Sequence, residues 1–181
     1  EGQSPNVMVI SCCDSRINPT SIFMSDIGEL FIHRNIANLV PAYRKDGDHS
    51  GTWSAIEYAV VSLEVKDIII LGHSNCGGIK HSYERYIEGV NTSYQFINKW
   101  LEILKPIYKN LNPSHLKNIS PIHLEKKSIV NSLKNIKSFP IVESRINENK
   151  LRIHGVWQEI SSGNLEYYNK NTNNFEEITY L

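Results

Sequence analysis

Two short stretches of this 181-residue chain carry the atom types of a metal centre. One is Cys12-Cys13-Asp14-Ser15-Arg16, the other Gly72-His73-Ser74-Asn75-Cys76-Gly77-Gly78. Thiolate sulfur and imidazole nitrogen are the ligands zinc prefers; structural sites use four protein ligands, whereas catalytic ones use three and keep a position open. His73 and Cys76 can meet on one turn, and Cys12 can supply the third ligand from the end of a different strand. No second Cys-x-x-Cys or His-x-x-His completes a four-ligand set, so the count points to a catalytic metal. Asp14, two residues from Cys12, is the alternative fourth ligand. Plainer readings stand beside this one. A lone His-x-x-Cys is weak evidence, and Asp14 with Arg16 can be an ordinary surface ion pair. Gly77 and Gly78 can be turn residues, although glycines at a helix start also let backbone N–H groups approach an anion.

Elements must deliver the two stretches to one place. Asn6 to Ser11 is an apolar run that reads as a buried strand, followed by Leu30 to His33 and Asp67 to Leu71. Between the last two, Ser54 to Leu63 carries Ile56, Ala59, Val60 and Leu63 at helical spacing after a loop over Asp46 to Gly51. Strands alternating with helices predict an α/β fold: a single domain over residues 1–181 with a mostly parallel central sheet flanked by helices. Helical periodicity recurs after Gly78 through Ile87, from Phe96 to Pro106, and from about Leu124 to Lys137 with Ile129, Leu133 and Ile136 on one side. Leu151 to Trp157 alternates as a strand, and the turn Ser161 to Asn164 leads into Leu165 to Tyr168, which predicts a C-terminal antiparallel edge strand. The Asn-rich stretch Asn169 to Asn174 reads as polar turn. Both metal motifs directly follow a strand, where open parallel sheets bind ligands.

Composition narrows the function. Lys and Arg total 19 against 19 Asp and Glu, so the basic excess that phosphate contacts require is absent and no nucleic-acid partner is expected. No apolar run approaches the ~18–20 residues of a membrane span, so no membrane partner is expected either. Three cysteines, two of them adjacent, do not form a disulfide framework; a reducing, cytoplasmic location is the expectation. Cys13 should point away from Cys12 along a strand and is expected to be a small buried residue.

With these residues in view, Cys-Cys-Asp-Ser-Arg resembles the Cys-x-Asp-Ser-Arg signature of β-class carbonic anhydrases, and Gly-His-Ser-Asn-Cys-Gly-Gly is similar to that family's His-x-x-Cys-Gly-Gly element. Gly2 to Pro5, Arg34 to Pro41, Ala55 to Val60 and the Leu151 to Trp157 strand extend the likeness over nearly the whole chain, strongest from Gly2 to Lys80. It leans toward the plant-like branch, with a bacterial source expected. The resemblance implies one zinc ion per chain on Cys12, His73 and Cys76, with Asp14 and Arg16 as a gating dyad. In a closed state Asp14 would become a fourth ligand. Gln3 falls on a residue that hydrogen-bonds substrate, and Phe31, Ile36, Tyr58 and Gly77 fall on pocket positions. A homodimer or larger homo-oligomer is implied, with active sites at the subunit interface. Two departures stand out: the family's N-terminal clasping helices would lie ahead of Glu1, and Ser62 occupies the position of a proton-transferring histidine.

The implied reaction is reversible hydration of carbon dioxide to bicarbonate and a proton by zinc-bound hydroxide. His33, His49 and His81 are candidate proton carriers by residue type alone. Two rival readings remain open: a zinc hydrolase of carbon disulfide or carbonyl sulfide, and a non-catalytic zinc or redox module using Cys12 and Cys76 as thiol switches.

Overall fold

The computed structural model describes residues 2–45, 50–111 and 119–179. Six strands form one sheet in the order β2-β1-β3-β4-β5-β6: β1 (Val7–Cys12), β2 (Leu30–Asn35), β3 (Asp67–His73), β4 (Arg152–Gln158), β5 (Leu165–Asn169) and β6 (Asn174–Glu177). The first four are parallel, and β5 and β6 add antiparallel strands at the C-terminal edge. Strands β1 and β3 are covered on both faces, which is why they read as continuous apolar runs rather than alternating ones. From β1 the chain crosses to β2 on one side, and β3 lies on the other. The crevice beyond the carboxyl ends of β1 and β3 is therefore the place where the connections part.

Seven helices are described around the sheet: α1 (Pro19–Ile22), α2 (Ser50–Glu57), α3 (Gly77–Tyr86), α4 (Gln95–Trp100), α5 (Lys105–Lys109), α6 (Pro121–Lys137) and α7 (Pro140–Asn147). The anticipated helix over Ser54 to Leu63 begins earlier, at Ser50, and its last turn, Tyr58–Ser62, widens into a π-helix. Of the loop expected ahead of it, residues 46–49 lie outside the described residues, and so does the candidate His49. Helix α6 starts at a proline that has no N–H to satisfy in a first turn. Its buried stripe Leu124, Ser128, Ile129, Ser132, Leu133 and Ile136 lies over β3 and β4. The helix sits so close that a β-carbon on Gly72 would come within 2.6 Å of Ile129 Cδ1.

Three elements went unread in the sequence. Helices α1 and α7 are short, and each buries a single residue, Pro19 or Val142, so neither carries an apolar period. Of the stretch expected as a turn, residues 170–173 are one, with Asn173 in the left-handed region at φ 55°, but Asn169 ends β5 and Asn174 returns the chain as β6. Strand β6 reads Asn-Phe-Glu-Glu and is held by pairing with β5 rather than by its own hydrophobicity.

The first turn of α3 packs against the short 3₁₀ turn Ile36–Asn38. Here Gly78 is required: a β-carbon would stand 2.9 Å from both Ala37 Cβ and Ile36 Cγ2. Replacing Gly78 by alanine must push the 3₁₀ turn outward, an overpacking cost of about 1–3 kcal/mol. Urea unfolding of the variant should show a lower midpoint with an unchanged slope.

Candidate metal centre

Cys12 ends β1, His73 ends β3, and Cys76 directly precedes α3. Asn75, at φ 54°, makes the left-handed step that turns the chain out of β3 and into the helix. As a result Cys12, His73 and Cys76 present ligand atoms that all lie within 4.8 Å of one another, and all three residues are buried.

The histidine shows which atom faces the centre. His73 Nδ1 lies 2.9 Å from the Ser74 carbonyl, which can only accept, so Nδ1 carries the proton and donates it. Nε2 is then an acceptor, buried and without a protein partner. A buried lone pair with nothing to bond is costly unless a ligand completes it, and fixing the tautomer from the far nitrogen is how proteins orient a metal-binding histidine. Two thiols and this nitrogen are donors of the kind that could hold zinc as a three-ligand set.

The surroundings favour a negative sulfur at Cys12. Without metal, the Cys76 thiol donates to Cys12 and lowers the Cys12 thiol, against its burial; His73 and the backbone at Asp14 and Ala37 add to the lowering. Cys76 moves the other way, first through that same bond and then through burial. His73 is raised: burial disfavours its cation, but the Cys12 sulfur, the Ser74 carbonyl and the charge of Asp14 outweigh it. Ala37 N–H reaches Cys12 Sγ at 3.4 Å. Ala37 and Asn38 hold left-handed φ of 63° and 49°, a strained pair of non-glycine residues that aims this N–H at the sulfur.

At the rim of the cluster, Arg16 holds Asp14 in a fork: Nε to Oδ1 at 2.9 Å, Nη2 to Oδ2 at 2.7 Å, with the Arg16 backbone N–H on Oδ1 at 3.0 Å. Arg16 Nη2 is itself anchored on the Asn75 carbonyl at 3.1 Å. The Arg16 side chain therefore holds the Asp14 carboxyl well below the usual carboxylate range, against the burial that would raise it. Asp14 Oδ2 is nonetheless only 3.9 Å from His73 Nε2.

Sequence similarity agrees with this geometry. The carbonic anhydrase family profile matches residues 7–165. The chain belongs to the β class of carbonic anhydrases. It is 37% identical to beta carbonic anhydrase 3 of Arabidopsis thaliana over 93% of its own length and 66% of that protein's. With a carbonic anhydrase of Synechocystis the figures are 32%, 92% and 61%. The chain thus spans just under two thirds of the length of these curated relatives. One chain from the crystal structures of two tetrameric β-carbonic anhydrases of Sordaria macrospora superposes with a TM-score of 0.79 at 31% identity, covering 92% of this chain and 81% of that one.

Within this β-class fold the anticipated site residues divide into two groups. Cys12, His73, Cys76, Asp14 and Arg16 come together. Gly77 opens α3 beside them with free space where a side chain would stand, and Ile36 packs at Gly78. Phe31 and Tyr58 instead meet each other, ring centroids 5.9 Å apart, with Tyr58 exposed. Phe31 pairs with Met8, four residues before Cys12 on β1, which is roughly 13 Å back along the strand. Gln3 is exposed ahead of β1. Cys13 is exposed too, not buried as its sequence context suggested: its N–H bonds Asn35, and its side chain leaves the sheet where the strand ends. Cys13→Ser should keep one equivalent of zinc per chain by elemental analysis; loss of the metal would mean that Cys13 rather than Cys12 is the ligand.

Supporting residues escaped the sequence reading. Arg34 clamps the loop after β1 through the carbonyls of Cys12 at 3.0 Å and Asp14 at 2.8 Å. Ser74 Oγ donates to Glu159 at 2.6 Å and accepts from Ile160 N–H, tying the loop after β3 to the end of β4. Glu125, on α6, accepts from Cys76 N–H. Arg34 lies inside the stretch quoted for the resemblance, but nothing in a lone glutamate or serine marks it as support for a loop far away in sequence.

Proposed function

We propose that this protein catalyses the reversible hydration of carbon dioxide to bicarbonate and a proton at one zinc ion per chain. The observation that carries the reading is the buried Cys12, His73 and Cys76 set with Asp14 held aside by Arg16. A purely structural or redox zinc site has no use for a tethered carboxylate beside an open ligand position. When bound, zinc acts as a Lewis acid that lowers the pKa of a water molecule from 15.7 to about 7 in three-histidine sites.

The chain's own residues do the rest. Arg16, a permanent cation with a planar fork, keeps Asp14 off the open position. An anchored carboxylate so close can accept a hydrogen bond from water in that position and orient it. Gln3 is assigned to hydrogen-bond the substrate oxygen on which charge develops, and Ile36 and Gly77 to line the pocket of a small apolar substrate. Phe31 and Tyr58 pack on each other with Phe31 back along the strand from their own centre and Tyr58 exposed, which supports their serving the site of a second copy. A homo-oligomer with sites at the subunit interface follows, in keeping with the tetrameric relatives of Sordaria macrospora. Among the described residues no helix is long and apolar enough to cross a membrane; a cytoplasmic setting is part of the proposal.

Two thiolates from Cys12 and Cys76 would cancel the formal charge of a bound zinc, so water there would be less acidic than beside three neutral histidines. Hydration measured by stopped flow on zinc-quantified protein should therefore rise from about pH 6.5 to about pH 9. Asp14 does not produce this rise: its lowered pKa keeps it ionised and paired throughout, and the pair is lost only as pH falls through that low value. A flat profile, or turnover that survives removal of zinc, would overturn the reading.

A further inference from the structure

Glu125 is a carboxylate with 3% of its surface exposed, brought by α6 beneath the loop that carries Cys76. Its Oε1 accepts from the Cys76 backbone N–H at 3.2 Å, and its Oε2 from the Trp157 indole N–H at 3.2 Å. The Asn75 backbone is a further hydrogen-bonding neighbour of the same carboxylate. Trp157 is itself buried, and its register partner on β3 is Gly72, next to the ligand His73. Burying a carboxylate is costly unless every oxygen is satisfied, and this one is satisfied by groups next to metal ligands.

We propose that Glu125 is a positioning residue of the metal centre, fixing the Cys76 thiolate and the Ser74–Cys76 loop so that the three ligands are preassembled. This rests on the zinc reading above but adds a residue outside the ligands and the dyad. Both oxygens of Glu125 face N–H donors, so the position needs an acceptor at both ends. Glutamine has the same shape but presents an NH₂ group to one of those donors, which breaks either the hold on Cys76 or the hold on Trp157. Aspartate has the same two oxygens on a stem one methylene shorter, so its carboxylate falls short of the two donors. The ligand loop would then relax, and Cys76 would lose its fixed direction.

The test is the rate at which the zinc-loaded protein gives up its metal to a chromogenic chelator, with the melting temperature of the metal-free protein followed in parallel. Glu125→Gln should release zinc about 10–100-fold faster, the effect expected of an outer-shell partner, with little change in the metal-free melting temperature. Its cobalt-substituted form should show a changed thiolate-to-metal absorption band. If Glu125→Gln fails to fold, Trp157→Phe leaves the carboxylate in place but removes one donor, and should speed release in the same direction by a smaller factor. Release within about twofold of wild type in the folded variants would overturn the proposal, as would faster release matched by an equal loss of metal-free stability. A wild-type protein that binds no zinc would overturn the zinc reading first, and this inference with it.

Discussion

Cys12→Ser should reduce the zinc content from one per chain to close to none and carbon dioxide hydration by at least ~1000-fold. The expectation comes from how little else could replace this sulfur. Cys12 sits at the end of a central strand, buried, with its sulfur accepting from Ala37 N–H, and the nearby Asp14 carboxylate is held in the Arg16 fork rather than free to take its place. Serine is smaller, and its hydroxyl stays protonated where the thiol gives a thiolate. The remaining His73 and Cys76 make only a two-ligand site, and metal affinity falls with each ligand lost. The comparison with Cys13→Ser is the decisive one, because the two cysteines are adjacent and of one type. Metal retained in the Cys12 variant would show that the centre is not assembled as described.

Arg16→Ala should leave zinc bound but lower hydration by at least ~100-fold, the scale at which a preorganised charged group contributes to catalysis. Arg16 supplies both side-chain bonds that hold the two carboxylate oxygens, and Oδ2 is only 3.9 Å from the histidine nitrogen that faces the centre. Freed of the fork, Asp14 is a carboxylate with an open ligand position within reach. Arg16→Lys should also be poorly active, since an ammonium is a point charge and cannot hold both oxygens in plane. A crystal structure of the alanine variant should show Asp14 turned onto the metal. Asp14 still turned aside in an inactive variant would assign Arg16 some other role than gating.

Much of the centre was legible in the chain itself because metal chemistry demands particular atoms. Only a few residue types offer sulfur or imidazole nitrogen, and their place directly after apolar strand runs located them at one edge of the sheet. Helix α6 was readable for a similar reason: a long segment must repeat its apolar residues to cover a sheet. By contrast α1, α7 and β6 leave little trace, since each is short and stabilised by neighbours.

By itself the sequence named the candidate ligand residues, the parallel α/β order and the β-class family resemblance, because these depend on residue type and on local periodicity. Tertiary structure alone decided that His73 turns Nε2 rather than Nδ1 toward the centre, that Cys13 faces solvent, and that Glu125, Arg34 and Glu159 brace the ligand loops. It also separated Phe31 and Tyr58 from the centre in their own chain. The physical reason is that such support depends on directions and distances between segments far apart in sequence. Residue spacing fixes geometry within one strand or one helical turn; the meeting of β1, β3 and α6 is set by the packing of the whole core.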